Sequence, residues 1–397
     1  MAGVLPPRIA CATVLLALAC TPSGPSLFPD RIDLTIAHEV GFEVRDVPIV
    51  EASIDGKGPY QLVFDTGAEM LVLDISVAKE LGLPRARYNA NTIGRSVGGW
   101  APSYFARVDS IRIGSLERTG LDAMVTDLRS NVRVDGLLGL PVFYDLVTAV
   151  DYGRRVLRFT SGPSLDPDAP GVLRIDQRYG ISLSVTARFE GRTFLARLDT
   201  GASGALYAEP SFLEALQEPP WLVPYARTPS PTGSAPTRVG RIPGDLSLGG
   251  HVFRDPILIA PERPIVLGPS ARYTVDPPLT LGHAFLRQFE LVIDRRSGLV
   301  RLTREGSGPI TSPPLRDVAL SAPTRWQDGA LVVVEPGPSM GDALHVGDRI
   351  VTIGGHPASE YSPAMLDGYA EGETVEIGVE RGQEQLRVDV PVITLVE

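Results

Sequence analysis

Short runs in which apolar and polar residues alternate dominate the sequence from about Asp46 onward. Three of them are "VPIVEASIDGKGPYQLVFDTG", "YFARVDSIRIGSL" and "VTAVDYGRRVLRFTS", each bounded by Gly, Pro or other turn residues. Alternation with a period of two between turn residues is typical of β-strands that bury one face. One short helix is predicted at "ISVAKELGL", because Gly82 and Pro84 follow its apolar positions. The pattern predicts an all-β protein.

The order of these runs repeats in the second half of the chain. The hairpin that ends at Asp65 returns as "ISLSVTARFEGRTFLARLDTG", with Gly191 at the place of Gly56. Later, "LSLGGHVFRDPILI" matches "IRIGSLERTGLDAMV", and "LTLGHAFLRQFELVIDRRSGLVRL" matches "DGLLGLPVFYDLVTAVDYGRRVLRF". A repeat of roughly 120 residues is the size of a lobe rather than of a solenoid unit. We therefore predict two pseudo-symmetric β-lobes that meet near residues 161–171.

These patterns divide the chain into six predicted parts. They are an export signal at 1–20, a linker and first strand at 21–45, a first lobe at 46–165, a second lobe at 166–304, a linker at 305–317 and a small α+β unit at 318–397.

Composition and charge limit the classes of partner that the protein can bind and indicate its cellular compartment. The chain has 397 residues, a formal net charge of −10 and no basic stripe, which argues against a nucleic-acid partner. Its two cysteines, Cys11 and Cys20, lie within the opening "MAGVLPPRIACATVLLALAC". The apolar run there is shorter than the ~20 residues of a membrane-spanning helix, and it is typical of an export signal.

The end of this segment, "ALAC" followed by "TPSGPS", resembles a bacterial lipoprotein signal. The resemblance implies lipid attachment at Cys20 and a membrane partner through the lipid. Ala17 stands where such signals usually have Leu, so simple cleavage and an uncleaved anchor are the alternatives. In each case we expect the body of the protein in the cell envelope, facing the periplasm or the cell exterior, without a disulfide.

Two aspartates stand in the same setting, because Asp65 and Asp199 each end an apolar run and precede Thr-Gly-Ala. If the two lobes face each other, the carboxylates meet, and like charges at about 3 Å share one proton. The ionised member can then activate a water molecule, and the protonated member can donate to a carbonyl oxygen. Such a pair hydrolyses an amide without a metal or a cofactor. A structural Asp in a turn is the alternative for either motif taken alone.

The paired motifs resemble the two lobes of a pepsin- or retropepsin-like aspartic peptidase over about residues 46–304. "VDGLLGLPVF" and "LTLGHAFLRQFELVIDRRSGLVRL" are similar to the segments that close each lobe in that family. The resemblance implies that Asp65 and Asp199 are catalytic. The supporting loop positions that it implies are Thr66, Gly67, Ala68, Thr200, Gly201 and Ala202.

The same family implies a flap, a hairpin that closes over an extended substrate. "IGRSVGGWAPSYF" has the expected position, with Gly98 and Gly99 at the tip and Trp100 as a candidate lid or, alternatively, a packed surface aromatic. The corresponding stretch of the second lobe, "TPSPTGSAPTRVGRIPG", is longer and rich in proline. Pepsins usually have one flap, and retropepsin dimers have two. The longer, proline-rich stretch therefore leaves a cleft with one flap and a cleft with two flaps as alternatives.

Ala68 and Ala202 stand where pepsins often have Ser or Thr. A hydroxyl there bonds the catalytic carboxylate and favours its ionisation, so without it the pair is expected to titrate higher. The resemblance therefore implies a pH optimum of about 5–6 rather than a strongly acidic one.

The segment "GALVVVEPGPSMGDALHVGDRIVTIGG" resembles a bacterial PDZ domain, most specifically at Gly347 and Asp348. PDZ domains bind chain ends as an added strand, which implies a chain-end ligand. The carboxylate-binding loop is not recognisable beyond the candidate "DVALSAP", so a structural cap is the alternative.

Two other patterns are weaker evidence of a catalytic or metal site. "GPSMG" at 337–341 matches the Gly-x-Ser-x-Gly of serine hydrolases, but Pro338 restricts the turn that a nucleophile needs. The histidines lack ligand spacing and predict no metal site; they are His38, His251, His283, His345 and His356.

The sequence as a whole predicts an exported aspartic endopeptidase that hydrolyses peptide bonds in extended polypeptide substrates. The alternative is a non-catalytic peptide-binding protein of the same fold in the cell envelope.

Overall fold

A computed structural model gives the fold, which is built mostly of β-strands. The residues that it describes are 38–44, 47–86, 92–96, 99–130, 132–162, 164–177, 182–230, 233–261, 277–318, 324–327, 330–334, 344–358, 363–366 and 368–397.

The elements of the first half are short strands around one α-helix and one turn of 3-10 helix. In chain order they are β1 (His38–Gly41), β2 (Glu43–Val44), β3 (Pro48–Ile54), β4 (Lys57–Asp65), β5 (Leu71–Asp74), α1 (Ile75–Leu81), β6 (Thr92–Ser96), β7 (Gly99–Ile113), β8 (Leu116–Thr126), β9 (Gly136–Gly139), the 3-10 turn (Leu140–Phe143), β10 (Val147–Asp151) and β11 (Val156–Thr160).

The second half has a similar series of elements. They are β12 (Val172–Arg174), β13 (Ser184–Phe189), β14 (Arg192–Leu198), β15 (Leu206–Ala208), α2 (Pro210–Ala215), β16 (Val223–Ser230), β17 (Gly233–Arg241), β18 (Asp245–Leu248), β19 (His251–Arg254), β20 (Ile257–Pro261), β21 (Leu279–Leu281), α3 (His283–Leu286), β22 (Glu290–Asp294) and β23 (Leu299–Thr303).

The C-terminal region adds further strands and a second 3-10 turn. They are β24 (Ile310–Thr311), β25 (Leu315–Val318), β26 (Thr324–Gln327), β27 (Ala330–Val333), β28 (Arg349–Ile353), β29 (His356–Pro357), the 3-10 turn (Pro363–Leu366), β30 (Thr374–Arg381) and β31 (Glu384–Val396).

Six strands of the first half close into a barrel. They pair in the order β3-β4-β9-β5-β8-β7, and hydrogen bonds between β7 and β3 complete the ring. In β3 the alternate side chains of Val50, Ala52 and Ile54 enter the main core, while Ile49 packs into a separate cluster on the other face. The period-two pattern of the sequence thus produces a strand with two different faces.

The second half repeats this strand order. Its sheet runs β16-β17-β20-β15-β21-β14-β13, which corresponds strand by strand to β6-β7-β8-β5-β9-β4-β3. The strand directions correspond as well, since β4 is parallel to β9 and β14 is parallel to β21. The two halves therefore present the same turn, the one after β4 and the one after β14, at equivalent points.

A six-stranded sheet joins the two halves. Its order is β1-β11-β10-β22-β23-β12, and the central antiparallel pair β10 and β22 comes from different halves. Five residue pairs, from Val147 with Asp294 to Asp151 with Glu290, fix their register. One continuous core of buried side chains extends across both halves.

The C-terminal strands from β25 onward form a separate sheet with its own core, whereas β24 pairs with β19 of the second half. Its order is β25-β31-β30-β28-β27-β26, with β29 paired to β28. Asp348 is buried and accepts two hydrogen bonds from Arg381, at 2.8 and 2.7 Å. The hydrogen bonding by Arg381 is the largest of the effects that hold the pKa of Asp348 below its usual value. The turn at residues 347–348 is thereby fixed to β30.

Candidate active site

Asp65 and Asp199 end matching strands. Asp65 is the last residue of β4, where it pairs with Gly139 of the parallel strand β9. Asp199 directly follows β14, and its backbone N–H donates to the Leu281 carbonyl of β21 at 2.9 Å. In each half a β-strand therefore ends in a carboxylate beside an equivalent parallel neighbour, β9 in the first half and β21 in the second.

Two buried threonines join the aspartate loops to each other. The backbone N–H of Thr66 donates to Thr200 Oγ1 at 3.1 Å, and that of Thr200 donates to Thr66 Oγ1 at 3.0 Å. The two hydroxyls in turn donate to main-chain carbonyls across the interface, Thr66 to Leu198 at 2.8 Å and Thr200 to Phe64 at 2.5 Å. Residues 134 positions apart in sequence are thereby fixed side by side.

Each carboxylate is also held by its own loop. Oδ1 of Asp65 accepts the backbone N–H groups of Gly67 and Ala68 at 2.8 and 3.0 Å. Oδ1 of Asp199 accepts the corresponding pair of N–H groups at 2.9 and 3.1 Å. The remaining oxygen of each aspartate is left for a partner outside its own loop.

Each carboxyl group lies against the glycine of the opposite loop. A Cβ atom added to Gly67 would lie 2.2 Å from Oδ2 of Asp199, and one added to Gly201 would lie 2.4 Å from Cγ of Asp65. Glycine is therefore required at both positions for close approach. The Asp65 and Asp199 side chains share a hydrogen bond.

This proximity changes the protonation of the pair. Burial first, and the negative charge of Asp199 second, raise the pKa of Asp65 well above its usual range. The N–H bonds from Gly67 and Ala68 oppose this rise without cancelling it. Two carboxyl groups that share one hydrogen bond in this way hold a single proton between them over part of the pH range.

The first half matches a known family. The family model described as aspartyl protease matches residues 50–142, from β3 to the 3-10 turn after β9. Residues 50–142 form an aspartyl protease domain. This range includes Asp65 and its loop, whereas Asp199 lies outside it. No curated protein matches the sequence.

A hairpin extends from the barrel of the aspartyl protease domain. It joins β6 to β7, with Ser96 opposite Gly99 and Arg95 opposite Trp100. Gly98, the other predicted tip residue, lies outside the described residues. The proline-rich stretch of the second half also forms a hairpin, β16 with β17, in which Ser230 pairs with Gly233. Strands β7 and β17, which belong to different halves of the protein, approach each other.

Matching segments also support the two aspartate loops from behind. The N–H of Leu140 donates to the Ala68 carbonyl at 3.2 Å, and the N–H of His283 donates to the Ala202 carbonyl at 2.6 Å. The preceding glycines pack against the same two loops. Leu140 in the aspartyl protease domain and His283 in the second half are therefore equivalent positions with different chemistry.

Sequence reasoning missed a buried polar pair behind the loop that follows Asp199. The rings of Tyr152 and His283 meet edge to face with centroids 5.2 Å apart. Both residues are buried, and in the described part of the chain neither the Tyr152 hydroxyl nor either ring nitrogen of His283 has a hydrogen-bond partner. A comparison of "LLGLP" with "TLGHA" in the two repeats could have identified His283, whereas nothing in the sequence pointed to Tyr152.

Other predicted features lie outside the described residues. They are Cys20 and the export signal, the "GPSMG" segment, and the greater part of the "DVALSAP" candidate loop. Within the described part, no helix has the length and apolar character needed to cross a bilayer. The same part contains no group of three or more His, Cys, Asp or Glu residues placed to bind a metal ion.

Proposed function

We propose that this protein is an aspartic endopeptidase that hydrolyses peptide bonds in extended polypeptides, with Asp65 and Asp199 as its catalytic pair. The proposal rests on one observation, the hydrogen-bonded contact between the two carboxyl groups, each against the glycine of the opposite loop. A single proton shared by two carboxyls provides a base and an acid at the same place.

The reaction follows from that protonation state. The ionised carboxylate removes a proton from a water molecule, whose oxygen attacks the carbonyl carbon of the peptide. The protonated carboxyl gives its proton to the carbonyl oxygen, so the tetrahedral intermediate is neutral. Return of a proton to the amide nitrogen then allows the C–N bond to break, which releases an amine and a carboxylic acid.

The two hairpins support a polypeptide as the substrate. We propose that β6–β7 and β16–β17 act as flaps on either side of an extended chain, with Gly98, Gly99 and Trp100 at one tip. Strand β7 and strand β17 approach each other, so a chain between the hairpins would contact both halves of the protein. Two flaps are typical of retropepsin dimers, and here both would belong to a single chain.

Cleavage of a peptide library tests this function. We expect cleavage that pepstatin inhibits and that Asp65→Asn and Asp199→Asn each abolish. Asp109→Asn, which removes an exposed carboxylate from β7, serves as the control and should cleave normally. If the wild-type protein retains peptides without cutting them, the alternative of a non-catalytic peptide-binding protein is correct.

We also propose that residues 318–397 form a PDZ-like unit that binds chain ends. The separate core of the C-terminal sheet and the fixed turn at Asp348 support an independent unit. Binding of labelled peptides to the full chain tests the proposal. Peptides with a free C-terminal carboxylate should bind more tightly than the same peptides with a C-terminal amide, and equal binding would favour a structural cap.

Export and lipid attachment are a further part of the proposal. They rest on the sequence of the first twenty residues and on the position of Cys20. Incorporation of labelled palmitate should be lost in Cys20→Ala and kept in Cys11→Ala. Labelling of neither protein, with cleavage after residue 19, would indicate an ordinary export signal.

A further inference from the structure

The residue two places before each aspartate lies on the same sheet face as that aspartate. Side chains alternate between the two faces of a strand, and a strand rises about 3.3 Å per residue. Val63 therefore lies about 7 Å before Asp65 along β4, and Arg197 lies about 7 Å before Asp199 along β14. The alternate residues of both strands enter the main core on the opposite face; they are Leu62, Phe64, Ala196 and Leu198. Both positions thus border the proposed catalytic pair.

In the first half this face is apolar. Val63 has Leu137 of β9 beside it, and Leu137 has Val72 of β5 on its other side. All three are buried in one cluster with Leu128 and Val134, which belong to the segment after β8. The first half therefore presents a buried apolar wall at these positions.

The equivalent positions of the second half are polar. Arg197 has Thr280 of β21 beside it, and Thr280 has Tyr207 of β15 on its other side. All three are partly exposed, in contrast to their buried equivalents in the first half. The Nε–H of Arg197 also donates to Ser182 Oγ at 3.3 Å. We call Arg197, Thr280 and Tyr207 the polar row, since it has a guanidinium and two hydroxyls where the first half has three aliphatic side chains.

Hydrogen bonds attach the polar row to the Asp199 loop. The Tyr207 hydroxyl accepts the backbone N–H of Gly204 at 2.9 Å and lies 3.5 Å from Ser203 Oγ. Ser203 and Gly204 directly follow Ala202, whose backbone N–H binds the Asp199 carboxylate at 3.1 Å. The polar row is therefore fixed beside one of the two catalytic carboxyl groups.

A guanidinium at this place affects which side chains can lie beside the Asp199 loop. A catalytic pair that holds one proton carries one negative charge, so a further carboxylate nearby is repelled unless a cation compensates. A guanidinium binds a carboxylate through two parallel N–H···O bonds, and neighbouring hydroxyls can donate to the same oxygens. An apolar side chain would instead remove water from Arg197 without replacing its hydrogen bonds.

We propose that Arg197, Thr280 and Tyr207 form a specificity subsite that binds an acidic side chain of the substrate next to the cleaved bond. This proposal rests on the peptidase function proposed above and deepens it, because it names the class of peptide that is cleaved. The equivalent wall of the first half is apolar, so the acidic residue is expected on one side of the cleaved bond only.

Cleavage of matched peptides tests the subsite. Products of the wild-type protein from a peptide library should be enriched in Asp or Glu at one fixed position beside the cut. A peptide with Glu there should have a kcat/KM about 10-fold or more above that of the same peptide with Leu, the effect of one charged hydrogen bond. The assay is run at pH 6, where a glutamate side chain is ionised.

Variants of Arg197 show whether its charge sets the preference. Arg197→Val introduces the residue of the first half, and we expect it to make the Leu peptide the better substrate. Arg197→Lys keeps the charge and should keep a weaker preference for Glu. Arg197→Gln keeps hydrogen bonding without the charge, so it should lose the preference and replaces the valine variant if that variant does not fold.

The matched control is Arg188→Val, which removes an exposed arginine from the neighbouring strand β13. It should leave the ratio of the two kcat/KM values unchanged. Two results would overturn the proposal. An equal fall of kcat/KM for both peptides in Arg197→Val would mean that the arginine acts on the fold or on the aspartates. Cleavage by the wild-type protein without enrichment of Asp or Glu would mean that the polar row does not select the substrate.

A binding measurement separates this proposal from the proposed function. If the wild-type protein cleaves no peptide, the proposed function is wrong, and binding then tests the subsite alone. Two labelled peptides that differ only in a central Glu or Leu are amidated, so that they lack the carboxylate proposed to bind the C-terminal unit. The Glu peptide should bind the full chain more tightly, and Arg197→Val should remove the difference. Equal binding of the two peptides to the wild-type protein would overturn the subsite.

Discussion

Gly67 and Gly201 show how closely two aspartate loops must approach before their carboxyl groups can share a proton. Each glycine Cα lies where a Cβ would be within 3 Å of the opposite carboxyl group. A methyl group at either position would push the loops apart. The contact between the two halves therefore requires glycine at both positions, and so does each turn.

The variant Gly67→Ala tests this requirement. We expect a loss of peptidase activity of about 100-fold or more, because small displacements of reacting groups have effects of that size. Gly41→Ala is the matched control, since a Cβ there meets no atom within 4 Å. Activity of Gly67→Ala equal to that of the control would mean that the loops can separate without consequence.

His283 makes a separate prediction about stability. Its pKa is about 4 in the folded protein against 6.5 for a free side chain, so the unfolded chain binds a proton first as the pH falls. The wild-type protein therefore loses stability from about pH 6.5 downward, by about 2 kcal/mol at pH 5. His283→Leu should escape this loss.

Urea unfolding of both proteins at pH 7 and pH 5 measures the effect. The stability difference between His283→Leu and wild type should move in favour of the variant at pH 5. A difference that stays constant between the two pH values would show that the imidazole is not buried in its neutral form.

At the residue scale, the two aspartates and their loops could be selected as candidates from the sequence because each motif is local and occurs twice. The contact between the loops requires the whole fold, but the duplication made it a specific prediction. The contact between the rings of Tyr152 and His283 could not be predicted in the same way. They are far apart in sequence, their equivalents in the other repeat are Arg295 and Leu140, and neither belongs to a motif.

At the scale of elements, one buried carboxylate organises an edge of the first barrel. Asp74 is the last residue of β5 and caps the start of α1, and its side chain accepts bonds from the backbone N–H groups of Ser76, Leu128 and Arg129. Burial would raise the pKa of Asp74, but the bonds from Ser76 and the two backbone N–H groups outweigh it and lower the pKa. The ends of β5 and β8 and the start of α1 therefore depend on one charge.

Asp74→Asn should reduce the free energy of unfolding by about 2 kcal/mol at pH 7. The ionised form stabilises the fold above the usual carboxyl pKa, and this contribution disappears as the pH falls through the lowered pKa of the folded state. The difference between the two proteins should therefore shrink in acid. Asp127→Asn removes an exposed carboxylate nearby and should change stability by less than about 0.5 kcal/mol. Equal effects of the two substitutions would contradict the role of Asp74.

Elements with local signals were predictable. The helix expected at "ISVAKELGL" is α1, which ends where Gly82 takes a left-handed conformation, and this prediction is confirmed. The short strands β5 and β9 are buried on both faces and lack alternation, so their partners could not be read from a pattern. Their pairing depends on neighbours that are distant in sequence.

At the scale of the whole molecule, Arg241 connects the second half to the C-terminal sheet. It lies at the end of β17, and its guanidinium donates to the main-chain carbonyls of Glu397, Asp255 and Ser312. Two of these acceptors lie next to strands of the C-terminal sheet, Ser312 before the edge strand β25 and Glu397 after its neighbour β31. The position of the C-terminal sheet therefore depends on a residue from the second hairpin.

Arg241→Ala should loosen this attachment. Backbone amides of β25 and β31 should exchange with deuterium at least about threefold faster, because local opening becomes easier. The control is Arg254→Ala, which removes an exposed ion pair with Asp245 and should leave that exchange unchanged. Unchanged exchange in Arg241→Ala would show that other contacts hold the sheet.

The sheet that joins the halves lay beyond prediction from sequence. Each of the two strands pairs with the next strand of its own half, β10 with β11 and β22 with β23, and neither has a pattern that identifies its second partner. The repeat predicted two lobes, but the strands shared between them follow from long-range packing.

The pairing of β10 with β22 has a consequence for how the proposed peptidase activity depends on protein concentration. A retropepsin assembled from two chains falls apart at low concentration and loses its activity with a midpoint set by its dissociation constant. Here the equivalent interface lies between two halves of one polypeptide, where five consecutive residue pairs join β10 to β22. Specific activity per molecule should therefore be the same at nanomolar and micromolar protein.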